Sequence, residues 1–400
     1  MRTTRTTATL ALTCCATLTL SACGGAFGGA AGDSSDGPIR IGVLADLTGP
    51  TSDVGSLYHD GMLAYAEWLD EQGGIEGRPV ELLVEDYAYE VPRADEIYKR
   101  FVAEGVVAVQ GWGTGDSEAL RSSVASDQLP FMSASYAEDL TDPEESPYNF
   151  VVAPTYSDQM RVALDHIAAE GGDDAEVAVF HHDSPFGTAP VGDGQDWIDE
   201  QGYDLGFESY AMPDTANFVG LLNQADRQGA THVVIQNVSS PAAQVAKDIA
   251  EQDLDMTIVC LNWCADELFV ATAGADAAEG HVFVQPFAPP RSERPGHEVM
   301  AEHLGGPEAL EEAGLHFGQG WYTMHIMAEG IRATIEAGED VTGENIKNAL
   351  EDIEVDTGGV VGGGTVSFGA DSHRGSSGTS VYQVEDGTMT EVAVDVTPGE

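Results

Sequence analysis

Ile39-Arg40-Ile41-Gly42-Val43-Leu44-Ala45-Asp46-Leu47-Thr48-Gly49-Pro50 reads as a short strand over 39–44 that stops in a loop of Asp, Thr, Gly and Pro. A helix is predicted beyond it from about residue 56. Tyr58, Met62, Tyr65 and Leu69 recur at helical spacing, and Gly73-Gly74 ends the run. A strand over 80–84 follows, then a helix marked by Ala94, Ile97, Tyr98, Phe101 and Val102. A strand over 106–109, a helix from about 117 and a short strand over 129–132 complete the series. Strands alternating with helices imply a parallel sheet joined by right-handed crossovers.

A second series begins after Asn149-Phe150-Val151-Val152. Its predicted helices span 159–169, 191–201, 218–228 and 241–251, and its strands 177–180, 205–210, 232–235, 257–261 and 281–284. Helices over 308–313, 315–337 and 343–350 come next. A Gly-rich tail, 362–396, holds strand patterns at 379–384 and 389–394. A chain of 400 residues is long enough for two domains. The expected class is therefore α/β, with two doubly wound parallel-sheet lobes. Such sheets bind ligands at the carboxyl ends of their strands, and a cleft between lobes is the natural small-molecule site.

The N-terminus carries separate information. Arg2 and Arg5 precede a short apolar-to-neutral stretch, 8–20, which is followed by Leu20-Ser21-Ala22-Cys23. A basic start, a short apolar region and small residues before a cut site describe a secretory signal over 1–22, too short to span a bilayer. Cys23 directly after the small residue resembles a bacterial lipobox, in which the thiol takes a diacylglycerol and becomes the mature N-terminus; an ordinary cleaved signal with an incidental Cys is the other reading. Residues 23–37, rich in Gly, Ala, Ser and Asp, bury nothing and read as a flexible tether. Together these place the folded body outside the cell, held to the outer face of the membrane by lipid on Cys23.

Removing 1–22 takes away Arg2 and Arg5 and no acid, which leaves 14 basic and 68 acidic residues and a formal charge of −54. Phosphate backbones require Lys or Arg, so nucleic acid is excluded as a partner, and so is a polybasic membrane patch. The 42% hydrophobic content and regular apolar runs argue against disorder. Lys occurs only at 99, 247 and 347. Self-repulsion on this scale is relieved by screening, so the melting temperature is expected to rise between about 0.1 and 3 M salt. Of the five cysteines, Cys14 and Cys15 leave with the signal; Cys260 and Cys264 remain in an oxidising compartment, either bridged or as two reduced thiols.

Four strand-end loops carry the candidate site. The first spans 46–55. The second, Gly111-Trp112-Gly113-Thr114-Gly115-Asp116-Ser117, offers glycines for close backbone approach and hydroxyls at a helix N-terminus, which favours an anion; Asp116 or Ser117 as a plain helix cap is the simpler alternative. His181-His182-Asp183-Ser184-Pro185-Phe186-Gly187 and Asn262-Trp263-Cys264-Ala265-Asp266 are the other two. Adjacent His181 and His182 at a strand end point apart, so no metal is expected. There is no G-x-S-x-G elbow, complete P-loop or H-E-x-x-H, since the next His after His297-Glu298 is His303. Neither catalysis nor a cofactor is expected.

Residues 41–50, Gly55, Gly61, the run Gly73-Gly74-Ile75-Glu76-Gly77-Arg78-Pro79-Val80, residues 94–101, Leu129-Pro130, residues 183–187 and residues 274–280 together resemble the branched-chain amino acid and amide binding proteins of ABC importers. The resemblance covers roughly 38–390. It implies a type I periplasmic-binding-protein fold with a three-crossover hinge, lobe one over 38–153 plus 287–356 and lobe two over 154–286 plus 357–400. It also implies a monomer that delivers a small molecule to ABC permease subunits; a ligand-sensing domain signalling to a membrane partner is the alternative. Positions matching the family's carboxylate site are Thr114, Gly115, Ser117, Ser135 and Tyr136. Val54 and Phe186 match residues that flank or close over the ligand, and Trp112, Tyr156, Ser239 and Trp263 complete the expected set. The chain departs from the family at the ammonium site. It lacks the acid in the loop of Asn262 and Trp263 and the Tyr near Ser239, although Asp266 and Glu267 stand close by.

Overall fold

The computed structural model describes residues 37–171 and 175–399, so the signal segment, Cys23 and most of the tether lie outside the described residues. The opening run forms β1 (Ile39–Ala45), joined by β2 (Val80–Asp86), β3 (Ala108–Gly111), β4 (Phe131–Ser133) and β5 (Asn149–Phe150). All pair in parallel in the order β2-β1-β3-β4-β5. Ile39, Ile41 and Val43 on one face are fully buried, and Gly42 and Leu44 on the other are buried too, as expected for a strand covered on both faces. The connecting helices are α1 (Ser52–Glu71), α2 (Val91–Glu104) and α3 (Thr114–Asp127). Both α1 and α3 start a few residues ahead of the positions that apolar spacing suggests.

The second series folds as α4 (Tyr156–Gly171), β6 (Glu176–His181), α5 (Pro185–Thr188), α6 (Val191–Gln201), β7 (Gly206–Ala211) and α7 (Val219–Gln228). It continues through β8 (His232–Gln236), α8 (Ser239–Gln252), β9 (Thr257–Cys260), α9 (Glu267–Ala273), α10 (Ala275–Ala278) and β10 (Val282–Gln285). After α11 (His297–Leu304), α12 (Pro307–Ala313), α13 (Leu315–Glu336) and α14 (Gly343–Leu350), a short hairpin of β11 (Glu354–Asp356) and β12 (Thr365–Ser367) precedes β13 (Thr379–Glu385) and β14 (Thr388–Val396). The second sheet runs β14-β13-β10-β9-β8-β6-β7. It differs from a wholly parallel sheet, because β13 pairs antiparallel with both β10 and β14. The chain returns to β10 only after α11–α14 and the β11–β12 hairpin, and β13 and β14 then close the sheet edge as an antiparallel pair.

A close helix crossing sets the position of α13. This helix is buried on nearly every side over its first half, from Leu315 to Met324, the pattern of a helix enclosed by its neighbours. It lies directly on α1 because both helices present glycine at the crossing. A Cβ on Gly61 would land on the Phe317 carbonyl oxygen, and one on Gly320 would land on that of Tyr58. Val360, Val361, Val366 and Phe368 pack into the same core as the first sheet, and 373–375 runs beside Val151.

Candidate ligand-binding site

A partly open cleft of about 230 Å³, solvent at its mouth included, lies where the carboxyl ends of the first sheet meet the loops after β6, β8 and β9. The first half of the molecule contributes Thr51, Tyr89, Trp112, Gly113, Thr114 and Ala134. Facing them are Tyr156 from the start of α4, Phe186 from α5, Val238 before α8 and Trp263 after β9. None of these side chains carries a formal charge. The space inside it that the centre of a water-sized molecule can occupy is only about 20 Å³, room for about one water, so a larger ligand requires the walls to part.

The aromatic wall is held by a relay that starts at Asp46. This fully buried carboxylate accepts from the Gly49 N–H (2.6 Å), the Thr51 N–H (3.0 Å) and the Thr51 hydroxyl (2.6 Å). Thr51 Oγ1 in turn accepts from the Trp112 indole N–H at 2.8 Å. Trp112 then meets Trp263 edge to face at 4.9 Å between ring centroids. Trp263 stacks on Tyr136 at 5.9 Å and gives its own N–H to Tyr156 Oη at 3.0 Å. Rings from both halves thus pack in the geometries that aromatic quadrupoles favour.

Tyr89 reaches the cavity through backbone strain. Ala88 and Tyr89 both have positive φ, 52° and 61°, which costs about 1–3 kcal/mol at each non-glycine position. Tyr87 also reaches Gly113 and donates to Asp116 Oδ1 at 2.7 Å, while Asp116 Oδ2 is buried without a hydrogen-bond partner. Burial pushes the Asp116 carboxyl up to about 7, with the Tyr87 hydrogen bond opposing it. The folded chain therefore holds a proton that the unfolded chain releases near 3.8. Stability falls as pH rises between these values. Asp116→Asn keeps an acceptor for Tyr87 and is neutral throughout. Its unfolding free energy should match wild type near pH 4 and exceed it at pH 8 by up to about 4 kcal/mol, measured by urea denaturation.

Of the sequence-derived residues, Trp112, Thr114, Tyr156, Phe186 and Trp263 line the cavity. Thr114 and Ser135 share a hydroxyl–hydroxyl bond of 2.7 Å, which puts Ser135 directly behind the lining. The other candidates are placed differently. Because α3 begins at Thr114, Ser117 lies inside its first turn and returns its hydroxyl to the Gly113 carbonyl at 2.6 Å. Gly115 faces Pro185 across the gap between the halves, and Val54 is buried in the core. Tyr136 lies under Trp263 and Phe287, and Ser239 donates to Asp266. Thr51, Tyr89, Gly113, Ala134 and Val238 join the lining without a sequence signal that singles them out. The N-cap residue of α3 is Gly113, which has no side chain to offer, and the first N–H groups of a helix lack partners within it.

Neither nearby acid replaces the missing ammonium partner. Asp266 Oδ1 caps α9 at the Phe269 N–H (2.7 Å), and Oδ2 accepts from His316 Nε2 (2.5 Å) and Ser239. Glu267 accepts from the Leu315 N–H at 3.3 Å. Cys260 and Cys264 are joined by a disulfide with Cα atoms 5.5 Å apart. The two adjacent histidines diverge: His181 Nδ1 lies 3.0 Å from the His182 carbonyl, and His182 Nδ1 lies 2.7 Å from Ser184 Oγ.

The family profile described as periplasmic binding protein matches residues 38–388, nearly the whole folded body. The chain belongs to that family. This periplasmic binding protein is 21% identical over 313 residues to the leucine-, isoleucine-, valine-, threonine- and alanine-binding protein of Pseudomonas aeruginosa, covering 77% of this chain and 82% of that one. It superposes on the valine-bound branched-chain amino acid ABC transporter protein of Thermus thermophilus with a TM-score of 0.84 and 25% identity, over 91% of this chain and 97% of the other. A fatty acid ABC transporter substrate-binding protein from Thermomonospora curvata shares the fold, with a TM-score of 0.79, 18% identity and coverage of 90% and 94%. The fold is that of type I periplasmic binding proteins. The relatives are solute-binding proteins rather than enzymes, and this protein is a solute-binding receptor.

Proposed function

We propose that this receptor works outside the cytoplasm, tethered by lipid on Cys23, and delivers a small carboxylate or amide to the permease of an ABC importer. The observation that supports the ligand class is the lining itself. Thr114, backed by Ser135 and flanked by the first N–H groups of α3, offers donors for a carboxylate or carboxamide oxygen. The rest is Trp112, Tyr156, Phe186, Val238 and Trp263, a surface for an apolar or aromatic body. An α-ammonium would enter a buried site with no counter-charge in its lining, which is unfavourable. Carboxylates and amides therefore rank ahead of free α-amino acids.

Closure follows from the same geometry. Lobe one holds the first sheet and most of the hydroxyls, and lobe two swings Phe186 and Trp263 over the ligand. We place the third crossover near residue 376 rather than 356, because residues 360–368 share lobe one's core. The test is a melting-shift panel of amino acids, amides, and aliphatic and aromatic acids. A true ligand at about 100 times its Kd should stabilise by roughly 2.7 kcal/mol. No shift from any member would count against the receptor reading. For the anchor, Cys23→Ala should release the protein from the membrane fraction; retention there would refute lipidation at that residue.

A further inference from the structure

A buried ion pair sits behind the cavity and joins the two halves. Asp266 belongs to the loop after β9 and His316 to the first turn of α13, and each side chain is 1% exposed. The imidazole is bonded at both ends: Nε2 donates to Asp266 Oδ2 at 2.5 Å, and Nδ1 lies 2.5 Å from the Gln319 side-chain amide. The Asp266 carboxylate at Nε2 favours the protonated ring. Its face stacks on Trp263, with centroids 5.2 Å apart. Ser239 adds a hydrogen bond to the same carboxylate oxygen, so α8, α9 and α13 converge on Asp266.

We propose that Asp266 and His316 form a proton-linked latch that holds the halves closed over the cavity. The inference rests on the receptor reading, since it assigns the pair to lobe closure. Neither residue lines the cavity. The pair positions Trp263, which does. When the halves part, both groups enter water, and the ring returns towards its ordinary value of 6.5.

The sign follows from the neighbours. Burial lowers the basicity of His316, but the Asp266 charge and hydrogen bond, the Gln319 hydrogen bond and the Glu267 charge outweigh it and hold the imidazolium above 6.5. From α1, Tyr58 packs on Trp263 and by its backbone on Gly320, and burial keeps its hydroxyl neutral. A closed state that binds the proton more tightly is favoured in full below about pH 6.5 and loses that advantage as pH rises through the raised value. Acidic conditions thus favour closure and alkaline conditions release it.

Small-angle X-ray scattering on the ligand-free mature chain between pH 6 and pH 9 tests the latch without knowledge of the ligand. The radius of gyration should increase with pH in wild type. His316→Gln should show the expanded value at both ends of the range. Asp266→Asn should behave likewise while keeping a side chain able to cap α9, so expansion there is not loss of the helix; circular dichroism on each sample confirms that both variants remain folded. Asp116 titrates in the same window, and His316→Gln retains it, so any slope left in that variant belongs elsewhere. A pH-independent wild-type radius, or a His316→Gln profile that overlays wild type, overturns the proposal. If instead the scattering change holds while no panel compound binds, the receptor reading fails and the latch stands.

Discussion

Trp263→Ala is expected to lower the unfolding free energy of the closed protein by about 3–5 kcal/mol, the usual range for removing a buried Trp, and to abolish saturable ligand binding. The ring is 3% exposed and touches Trp112, Tyr58, Tyr136 and His316, and it supplies the hydrogen bond to Tyr156 Oη. No neighbouring side chain is free to fill the gap, because each aromatic partner belongs to a different element. Trp263→Phe separates the two contributions. It keeps one aromatic ring in the stack and loses the indole N–H together with part of the buried ring area, at a cost of about 1–3 kcal/mol, below that of the alanine change. Chemical denaturation of both variants checks the ordering; an alanine variant as stable as the phenylalanine one would mean that the ring seam does not hold the halves together.

Gly320→Ala acts at a distance from the cavity. Its new Cβ would meet the Tyr58 carbonyl oxygen, and backbone on both sides leaves no flexible side chain to yield. The helices must separate, at about 1–3 kcal/mol or somewhat more for a contact between two backbones. Gly61→Ala makes the reciprocal clash with Phe317. Because α13 carries His316 and α1 carries Tyr58, the displacement passes directly to the Trp263 seam. Both variants should melt several degrees below wild type and bind more weakly. A Gly320→Ala protein that melts within one degree of wild type would show that α1 and α13 are not in backbone contact.

The alternation of strand and helix is legible from periodicity alone, and β1, α6 and the start of α14 fall where the apolar spacing puts them. Strand ends also point to Trp112, Thr114, Phe186 and Trp263, since a parallel sheet directs its loops to one edge. The features that periodicity misses have identifiable causes. The first turns of α1 and α3 hold small and polar residues with no apolar stripe, so apolar spacing sets their starts too late. That shift hides Thr51, just before α1, and makes Ser117 look like a loop hydroxyl when it is tied to the Gly113 carbonyl. Tyr89 depends on left-handed backbone at Ala88 and Tyr89, and neither residue type advertises that conformation as Gly or Asn would. The hairpin of β11 and β12 is only three residues long on each side, too short for alternation to register. In the sequence Asp266 looks like a free acid near the cleft. Only the fold reveals that His316, fifty residues away, has claimed it.

The ligand class turns on a cavity with hydroxyl and N–H donors and no charge to meet an ammonium. Isothermal titration calorimetry with matched triplets reads this out: L-valine against isovalerate and isovaleramide, and L-phenylalanine against 3-phenylpropanoate and its amide. One-to-one binding of an acid or amide at least about tenfold tighter than its parent amino acid is expected, a difference of about 1.4 kcal/mol. An amino acid that binds as tightly as, or more tightly than, its deaminated partners would contradict the proposed ligand class.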